Sequence, residues 1–221
     1  MIDAIKGVLS FAAEAQSGLG VNLKLRSYPA VLVYQACALG LQAAERWQAL
    51  HDFMGYEIEN GYGGPSRLLD ELGPSTWDGP EKGIWQSMPS MDQRVTPFLD
   101  HLVQGPFGTW CRSFLPPRTS VSDVWAFADW LTAICYLEST EKAYLTEALS
   151  KPEYDKNYIW APLGLGGQSF RRMHHEIKPK SLDSEEYIGV LAKAGFGRGD
   201  PEFIKLTIES QKRNLAKSRF F

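Results

Sequence analysis

The fold of this chain is decided by residues 27–47, which read SYPAVLVYQACALGLQAAERW. Ser27 and Pro29 open the stretch, and a proline in the first turn is typical of a helix start. No charged residue follows until Glu45, so small and apolar side chains occupy most sides of the helix. A helix that is apolar around most of its circumference is buried. We therefore predict a long, buried second helix over residues 30–54.

Periodic apolar patterns predict the remaining helices. Residues 2–16 have the pattern of a first, amphipathic helix, and residues 121–149 that of a helix whose first half is apolar on nearly every side. We expect the 121–149 helix to be the central element of the core. Residues 183–221 have the pattern of a closing helical pair, with helices over 184–194 and 202–217.

The helices are interrupted by a segment rich in glycine and proline, residues 55–90. This composition predicts an irregular surface excursion with one short helix at 66–72. Only residues 21–25 and 158–160 have the composition of strands, and neither would form a sheet by itself. The sequence therefore predicts a single all-α domain over residues 1–221, an irregular helical bundle with a Gly/Pro-rich excursion.

The overall charge argues against a nucleic-acid-binding protein. The 221 residues are 44% hydrophobic and 22% charged, as in an ordinary globular protein, and the net charge is −3. A nucleic-acid-binding domain normally has a basic face. Only residues 201–221 are basic, with five basic residues against two acidic ones. We therefore do not expect nucleic-acid binding, unless through this C-terminal tail. The favoured interpretation of the basic tail is a solvated face, and Lys212 and Arg213 are also candidates for contact with an acidic partner.

The cysteines and the hydropathy pattern indicate the compartment. Cys37, Cys111 and Cys135 lie among apolar residues without CxxC spacing, which argues against a disulfide framework and places the protein in the cytoplasm. Cys37 and Cys111 are predicted to be small core residues, not nucleophiles. No apolar run reaches the roughly 18 residues needed to span a bilayer, so we expect no contact with a membrane.

A glycine-rich turn and a pair of arginines are the first candidates for chemistry. Residues 164–167 read GLGG, but no convincing strand precedes them and no GK[ST] sequence follows, so a tight turn is predicted instead of a nucleotide site. Arg171 and Arg172 come next, and their guanidinium groups could bind a phosphate or a carboxylate in bidentate fashion.

The densest set of possible metal ligands is His174, His175 and Glu176. Adjacent helical side chains point about 100° apart, so the two histidines cannot share one small ion. A site would need ligands from elsewhere, such as Asp100 or His101. We therefore expect surface histidines, and the sequence predicts no metal and no cofactor.

Acidic residues suited to acid–base chemistry occur as Glu57 with Glu59, Asp70 with Glu71, and Asp129. Catalysis of this kind needs two acids that converge on a cleft, and the spacing does not show such convergence. The sequence therefore predicts no catalytic residue.

Asp129 is the most unusual of these acids because it lies in the apolar half of the central helix. A carboxylate among Trp125 and Trp130 would be costly unless it were paired. The prediction is a buried salt bridge to an arginine such as Arg46 or Arg94.

Aromatic residues are more abundant than a small bundle needs for its core. They include Trp77, Trp85, Trp110, Trp125, Trp130, Trp160, Tyr28, Tyr34 and Tyr158. An exposed tryptophan on a helical scaffold commonly anchors a partner interface, while the competing interpretation is an aromatic core. Trp77 and Trp85 are expected to hold the excursion to the body. The predicted partner-binding residues are Trp77, Trp85, Arg171, Arg172, Lys212 and Arg213.

Several short motifs occur in a characteristic order along residues 24–198. They are Tyr28-Pro29-Ala30, then Tyr34, Gly40 and Trp47, then the helix around Phe98-Leu99-Asp100-His101-Leu102, the aromatic helix from Trp125, Trp160-Ala161-Pro162-Leu163-Gly164, and Ala194-Gly195-Phe196. In this order the chain resembles a helical region at the C-terminal end of bacterial multidomain proteins whose N-terminal parts are sirtuin-like, P-loop ATPase or other anti-phage effector domains. The related pattern continues after the Trp-Ala-Pro motif into an aromatic residue and a Trp-Arg pair, where this chain has Gly166-Gly167-Gln168-Ser169-Phe170-Arg171.

This resemblance implies that the chain is either a severed module of such a protein or a separate subunit that works beside an enzyme, and no catalytic residue can be carried over from it. The favoured hypothesis is a non-catalytic helical module or subunit that binds a partner protein, or senses a trigger, in a bacterial system of the defence type. Its contact surface would lie near residues 55–90. The alternative is a small hydrolase or nuclease, which would need a cleft where Asp129, His174 or His175 meets other polar side chains.

Overall fold

The architecture was taken from a computed structural model, which describes residues 2–13, 25–59, 64–73, 82–92, 97–113, 115, 120–151, 159–164 and 180–217. Of these residues, 75% are helical, and the strands among them form one two-stranded sheet. The predicted all-α class is thereby confirmed. No helix in this part of the chain has the length and apolar character needed to cross a membrane.

Helices of very different lengths make up the bundle. They are α1 (Ile2–Ala13), α2 (Tyr28–Ala43), α3 (Trp47–Met54), α4 (Leu68–Leu72), α5 (Lys82–Gln86), α6 (Pro97–Gln104), α7 (Pro106–Trp110), α8 (Val121–Leu137), α9 (Lys142–Ser150), α10 (Glu185–Lys193) and α11 (Pro201–Lys217). Single 3-10 turns occur at Cys111–Ser113, Lys180–Asp183 and Phe196–Gly199. The strands β1 (Glu57–Glu59) and β2 (Pro65–Arg67) pair antiparallel, with Ile58 opposite Ser66.

Helix α8 is the centre of the core, as predicted from its apolar first half. Its Trp125, Trp130, Leu131 and Ile134 are fully buried. The helix packs against α2, α3, α4 and α11, so it contacts both halves of the chain. The closing helical pair is also confirmed, because α10 and α11 pack against each other.

The predicted helix over residues 30–54 is broken into α2 and α3 by a turn around Glu45. The Glu45 N–H donates to the Gln42 carbonyl at 3.0 Å and the Arg46 N–H to the Leu41 carbonyl at 2.9 Å. This pair of bonds is the Schellman motif, which ends a helix with one residue in the left-handed region. Glu45 has a φ of 51°. Sequence periodicity missed the break because glycine usually occupies this position, and here it is a glutamate.

Replacement of Glu45 by glycine is expected to raise the free energy of unfolding by about 0.5–1 kcal/mol. A side chain in the left-handed region costs roughly 1–2 kcal/mol, and the greater freedom of glycine in the unfolded chain offsets part of this gain. Chemical denaturation measures the change. Glu45→Ala is the matched control, since alanine keeps the Cβ atom and gains little, and an equal gain in both variants would argue against the strained backbone.

The predicted helix over residues 121–149 also ends early, at Leu137. Beyond it, the Arg198 guanidinium donates to the carbonyl of Glu138 and, at 3.0 Å, to the carbonyl of Thr140. These carbonyls lie at the C-terminal end of α8, where no further helical turn satisfies them. The arginine therefore stabilises the end of α8, and the chain starts again as α9.

The excursion contains more order than its composition indicates. Strands β1 and β2 form a small hairpin that the sequence did not predict, because three-residue strands are too short to show an alternating pattern. The predicted short helix is present as α4, and its Leu68, Leu69 and Leu72 are buried. Of the predicted strand segments, residues 21–24 and 158 lie outside the described residues, and Ile159 and Trp160 lie in a connection.

Candidate functional site

A group of polar side chains lies where α3 and α8 face each other. His51 and Met54 are three residues apart on α3, and Cys135 and Glu138 are three residues apart at the end of α8. Residues at this spacing lie on the same face of a helix. We refer to His51, Met54, Cys135 and Glu138 as the α3–α8 cluster.

His51 and Glu138 form the polar half of the cluster. The His51 Nε2 atom lies 3.2 Å from both carboxylate oxygens of Glu138. The hydrogen bond with Glu138 raises the pKa of His51 above its ordinary value, although burial opposes the rise. The Gly197 N–H donates to Glu138 Oε1 at 2.8 Å, and the ring of Phe196 packs edge-on against His51 with centroids 5.1 Å apart. The imidazole and the carboxylate are therefore both held in place.

Cys135 and Met54 form the sulfur half of the cluster. Cys135 is 1% exposed, and its Sγ atom lies 4.0 Å from the Met54 Sδ atom. Burial raises the pKa of the Cys135 thiol well above its ordinary range, and the charge of Glu138 adds to this rise. Burial therefore disfavours the thiolate form of Cys135. His51, Cys135 and Glu138 each offer one possible ligand atom, and these three atoms lie within 4.8 Å of one another.

Arg67 connects the cluster to the excursion. Its guanidinium forms two hydrogen bonds with the Asp70 carboxylate, at 2.7 and 3.0 Å, and donates to the Cys135 carbonyl at 2.8 Å. Tyr34 lies nearby at 2% exposure, and its hydroxyl has no hydrogen-bond partner among the residues that the structure describes. Burial raises the pKa of Tyr34, and Cys135 and Asp70 contribute to the rise. The buried polar region thus extends from α3 to the start of α4.

A pocket of about 430 Å³ opens to the surface next to Arg67. Its lining residues come from the excursion, from the end of α8 and from residues 160–162, and they are Arg67, Leu69, Asp70, Tyr136, Ser139, Trp160 and Pro162. The indole of Trp160 is edge-on to the Tyr136 ring, with centroids 5.4 Å apart, and Trp160 is 60% exposed. We call this cavity the Trp160 pocket.

The last helix, α11, fixes the segment that carries Trp160. The Ile159 carbonyl accepts one hydrogen bond from the Gln211 side-chain amide at 2.8 Å and another from the Asn214 amide at 2.6 Å. Ile159 and Ala161 are also buried in a small apolar cluster with Phe203 of α11. The backbone on both sides of Trp160 is therefore anchored, while its indole faces outward.

The structure places the predicted partner-binding residues in different settings. Trp85 is 3% exposed, and its ring packs against Phe98 with centroids 4.7 Å apart and stacks on His101 at 5.4 Å. It therefore holds the excursion to the body, as expected, and its side chain is not accessible to a partner. Trp77, Arg171 and Arg172 lie outside the described residues, and so do His174 and His175.

Both tail cations named from the sequence have partners within the chain. Lys212 forms ion pairs with Asp183 at 3.1 Å and with Glu209 at 2.9 Å. Arg213 donates to the carbonyls of Ala148 and Leu149, at 3.0 Å each, and to that of Lys151. The Arg213 guanidinium thus stabilises the C-terminal end of α9, so this cation has a structural role.

Of the acids considered from the sequence, Asp70 lines the Trp160 pocket and Asp129 does not. Asp129 is buried in α8, and its Oδ2 atom lies 3.4 Å from the position that a Cβ atom on Gly164 would take. Of the two arginines predicted to form a salt bridge with Asp129, Arg46 is exposed between α2 and α3, and Arg94 lies outside the described residues. The core role of Cys111 is confirmed by its burial, and Cys37 is half-buried.

Sequence reasoning missed His51, Cys135 and Glu138 as a group. Their signal is weak but present, because each helix carries two of the four side chains at a spacing of three residues, His51-x-x-Met54 and Cys135-x-x-Glu138. Nothing in the sequence shows that these two pairs face each other.

Comparisons with known proteins add no relative to this description. No family model, no curated protein and no solved structure matches the chain.

Proposed function

We propose that this chain is a non-catalytic helical module that binds a partner protein, and that the Trp160 pocket is the place where the partner is anchored. The observation that carries the proposal is the exposed indole of Trp160 at the rim of the pocket, beside Tyr136 and Arg67. Tryptophan, tyrosine and arginine are the residue types that contribute most to the binding energy of protein interfaces.

The lining of the pocket indicates what part of a partner would enter it. Arg67 is already paired with Asp70, so the charged part of the wall is close to neutral. Trp160 and Tyr136 supply aromatic surface, and a volume of about 430 Å³ is within the range of known ligand pockets. These properties favour an apolar or aromatic side chain on the partner over a strongly charged one.

The position of the pocket agrees with the contact surface expected from the sequence. Arg67, Leu69 and Asp70 belong to the excursion, and they form one wall of the pocket. The resemblance of residues 24–198 to helical regions of bacterial anti-phage effector proteins makes an effector subunit of a defence system the first class of partner to test.

Capture from the native host tests the proposal. The full chain is used as bait, and we expect a stoichiometric companion protein that mass determination identifies. Recovery of this companion should fall at least about 10-fold with Trp160→Ala, because anchor residues typically contribute about 2 kcal/mol or more to binding. Trp110→Ala is the matched control, since Trp110 is 48% exposed and does not line the pocket.

Hydrogen exchange on the purified complex gives a second measurement. Residues 64–73 and 159–164 should exchange more slowly in the complex than in the isolated chain. The proposal would be overturned if the Trp160→Ala variant recovered the companion in full. It would also be overturned if the amides of both segments exchanged at the same rate in the complex and in the isolated chain.

The alternative of a small hydrolase or nuclease stays a prediction. Asp129 does not line the Trp160 pocket, and burial of the Cys135 thiol disfavours the thiolate, which is the nucleophilic form of cysteine. Asp70 does line the pocket, but its carboxylate is paired with Arg67, and the described lining holds no second acid to converge with it.

A further inference from the structure

We propose that the α3–α8 cluster binds one zinc ion through His51, Cys135 and Glu138. The three side chains come from two facing helices, and their ligand atoms lie within 4.8 Å of one another. This site is independent of partner binding at the Trp160 pocket, and the sequence did not predict it.

The three donors are those that zinc takes in proteins. Zinc is bound by cysteine sulfur at about 2.3 Å, by histidine nitrogen at about 2.0–2.1 Å and by carboxylate oxygen at about 2.0–2.2 Å. Bonds of these lengths place the donors of a tetrahedral site between about 3 and 4 Å apart. The separations here exceed this range by about 1 Å at most, which small side-chain rotations can close. Three protein ligands leave a fourth position for water, as in many zinc sites.

The surroundings hold two of the ligands in position before the ion arrives. The Gly197 N–H binds Glu138 Oε1, which fixes the carboxylate and leaves Oε2 beside the His51 Nε2 atom. Asp52 Oδ1 lies 3.8 Å from His51 Nδ1 on the other side of the ring. This separation is too long for a hydrogen bond, and Nδ1 has no hydrogen-bond partner among the described residues, so Nε2 is assigned as the ligand atom by its position beside Glu138.

Zinc binding requires the cysteine and histidine ligands to release protons. The Cys135 S–H bond breaks as the sulfur–zinc bond forms, and this proton leaves to water. The His51 imidazole binds the ion as the neutral tautomer with its one proton on Nδ1, and a second proton, on Nε2, would leave to water so that the Nε2 lone pair is free. Neither step needs an oxidant or a reductant. Zinc affinity should therefore increase with pH, as for other sites whose ligands must lose protons.

Zinc fits this donor set better than the other common ions. Magnesium and calcium prefer oxygen ligands, and here one ligand is a sulfur and another a nitrogen. Copper(I) prefers thiolate and thioether ligands, and the Met54 Sδ atom at 4.0 Å from Cys135 makes it the main competitor. The carboxylate of Glu138 and the imidazole of His51 favour zinc.

Titration of the metal-free full chain with zinc tests the proposal. We expect one zinc ion per chain by elemental analysis, and we expect Cys135→Ser, His51→Gln and Glu138→Gln each to weaken zinc binding by at least about 10-fold. Cys111→Ser is the matched control, because Cys111 is an equally buried thiol outside the cluster. The double variant His174→Gln and His175→Gln should also bind zinc normally.

Substitution with cobalt(II) gives a readout that does not depend on the folding of a variant. The wild-type chain should show a thiolate-to-cobalt charge-transfer band, which reports a sulfur ligand directly. Three results would overturn the proposal. Zinc binding could be lost only in the double histidine variant, or the cobalt spectrum could lack this band. The third is a site that prefers copper(I) to zinc and requires Met54.

Discussion

Replacement of Trp125 by alanine is expected to lower the free energy of unfolding by about 3–5 kcal/mol, the range for large-to-small changes at buried tryptophans. Trp125 is fully buried in α8, and its ring lies edge-on to Phe107 with centroids 5.0 Å apart. The change removes this contact and leaves a cavity that the surrounding helices can fill only in part. Chemical denaturation followed by circular dichroism measures the loss.

Trp110→Ala is the matched control, because the Trp110 ring contacts the same phenylalanine, Phe107. Its ring is also edge-on to Phe107, at 5.3 Å, but its side chain is 48% exposed. We expect a loss of only about 1 kcal/mol, since much of the indole is in water in both states. Equal losses in the two variants would contradict the position of Trp125 at the centre of the core.

Replacement of Gly195 by alanine is expected to lower the free energy of unfolding by about 2–4 kcal/mol, with two causes. Gly195 has a φ of +100°, which an alanine adopts only with strain. In addition, a Cβ atom at this position would lie 2.8 Å from His51 Nδ1, so the imidazole or the turn would have to move. Thermal and chemical denaturation measure the change.

Gly189→Ala provides the opposite expectation on the neighbouring helix. Gly189 lies inside α10, and a Cβ atom there would have no heavy atom within 4 Å among those described. Alanine favours the helix by about 0.5–1 kcal/mol over glycine, so this variant should be more stable than the wild type. A Gly195→Ala variant as stable as Gly189→Ala would show that the turn at residue 195 does not constrain His51.

The sequence predicted those parts of the fold that depend on periodicity. The buried first half of α8 and the closing pair of α10 and α11 follow from apolar residues at helical spacing, which is a local signal. The ends of the helices were less predictable. The break at Glu45 depends on a non-glycine residue in the left-handed region, and the end of α8 depends on Arg198, which lies 60 residues away in the chain.

The candidate sites were harder to predict because they depend on which faces meet. Trp85 and Trp160 are both tryptophans near turn-forming residues, and composition does not distinguish them, yet one is buried and the other is 60% exposed. His51 is an ordinary helical residue until α8 brings Glu138 within 3.2 Å of its ring. Only the tertiary arrangement supplies this information.

The two amide hydrogen bonds to the Ile159 carbonyl link the C-terminal half of α11 to the rim of the pocket. Fraying of α11 back to Gln211 has to break both bonds, and the backbone beside Trp160 is then held only by the burial of Ile159 and Ala161 against Phe203. Thermodynamic linkage makes this relation mutual, because a molecule that binds only the ordered rim must also suppress opening of the C-terminal half of α11. Occupancy of the pocket should therefore slow amide exchange in the last turns of α11.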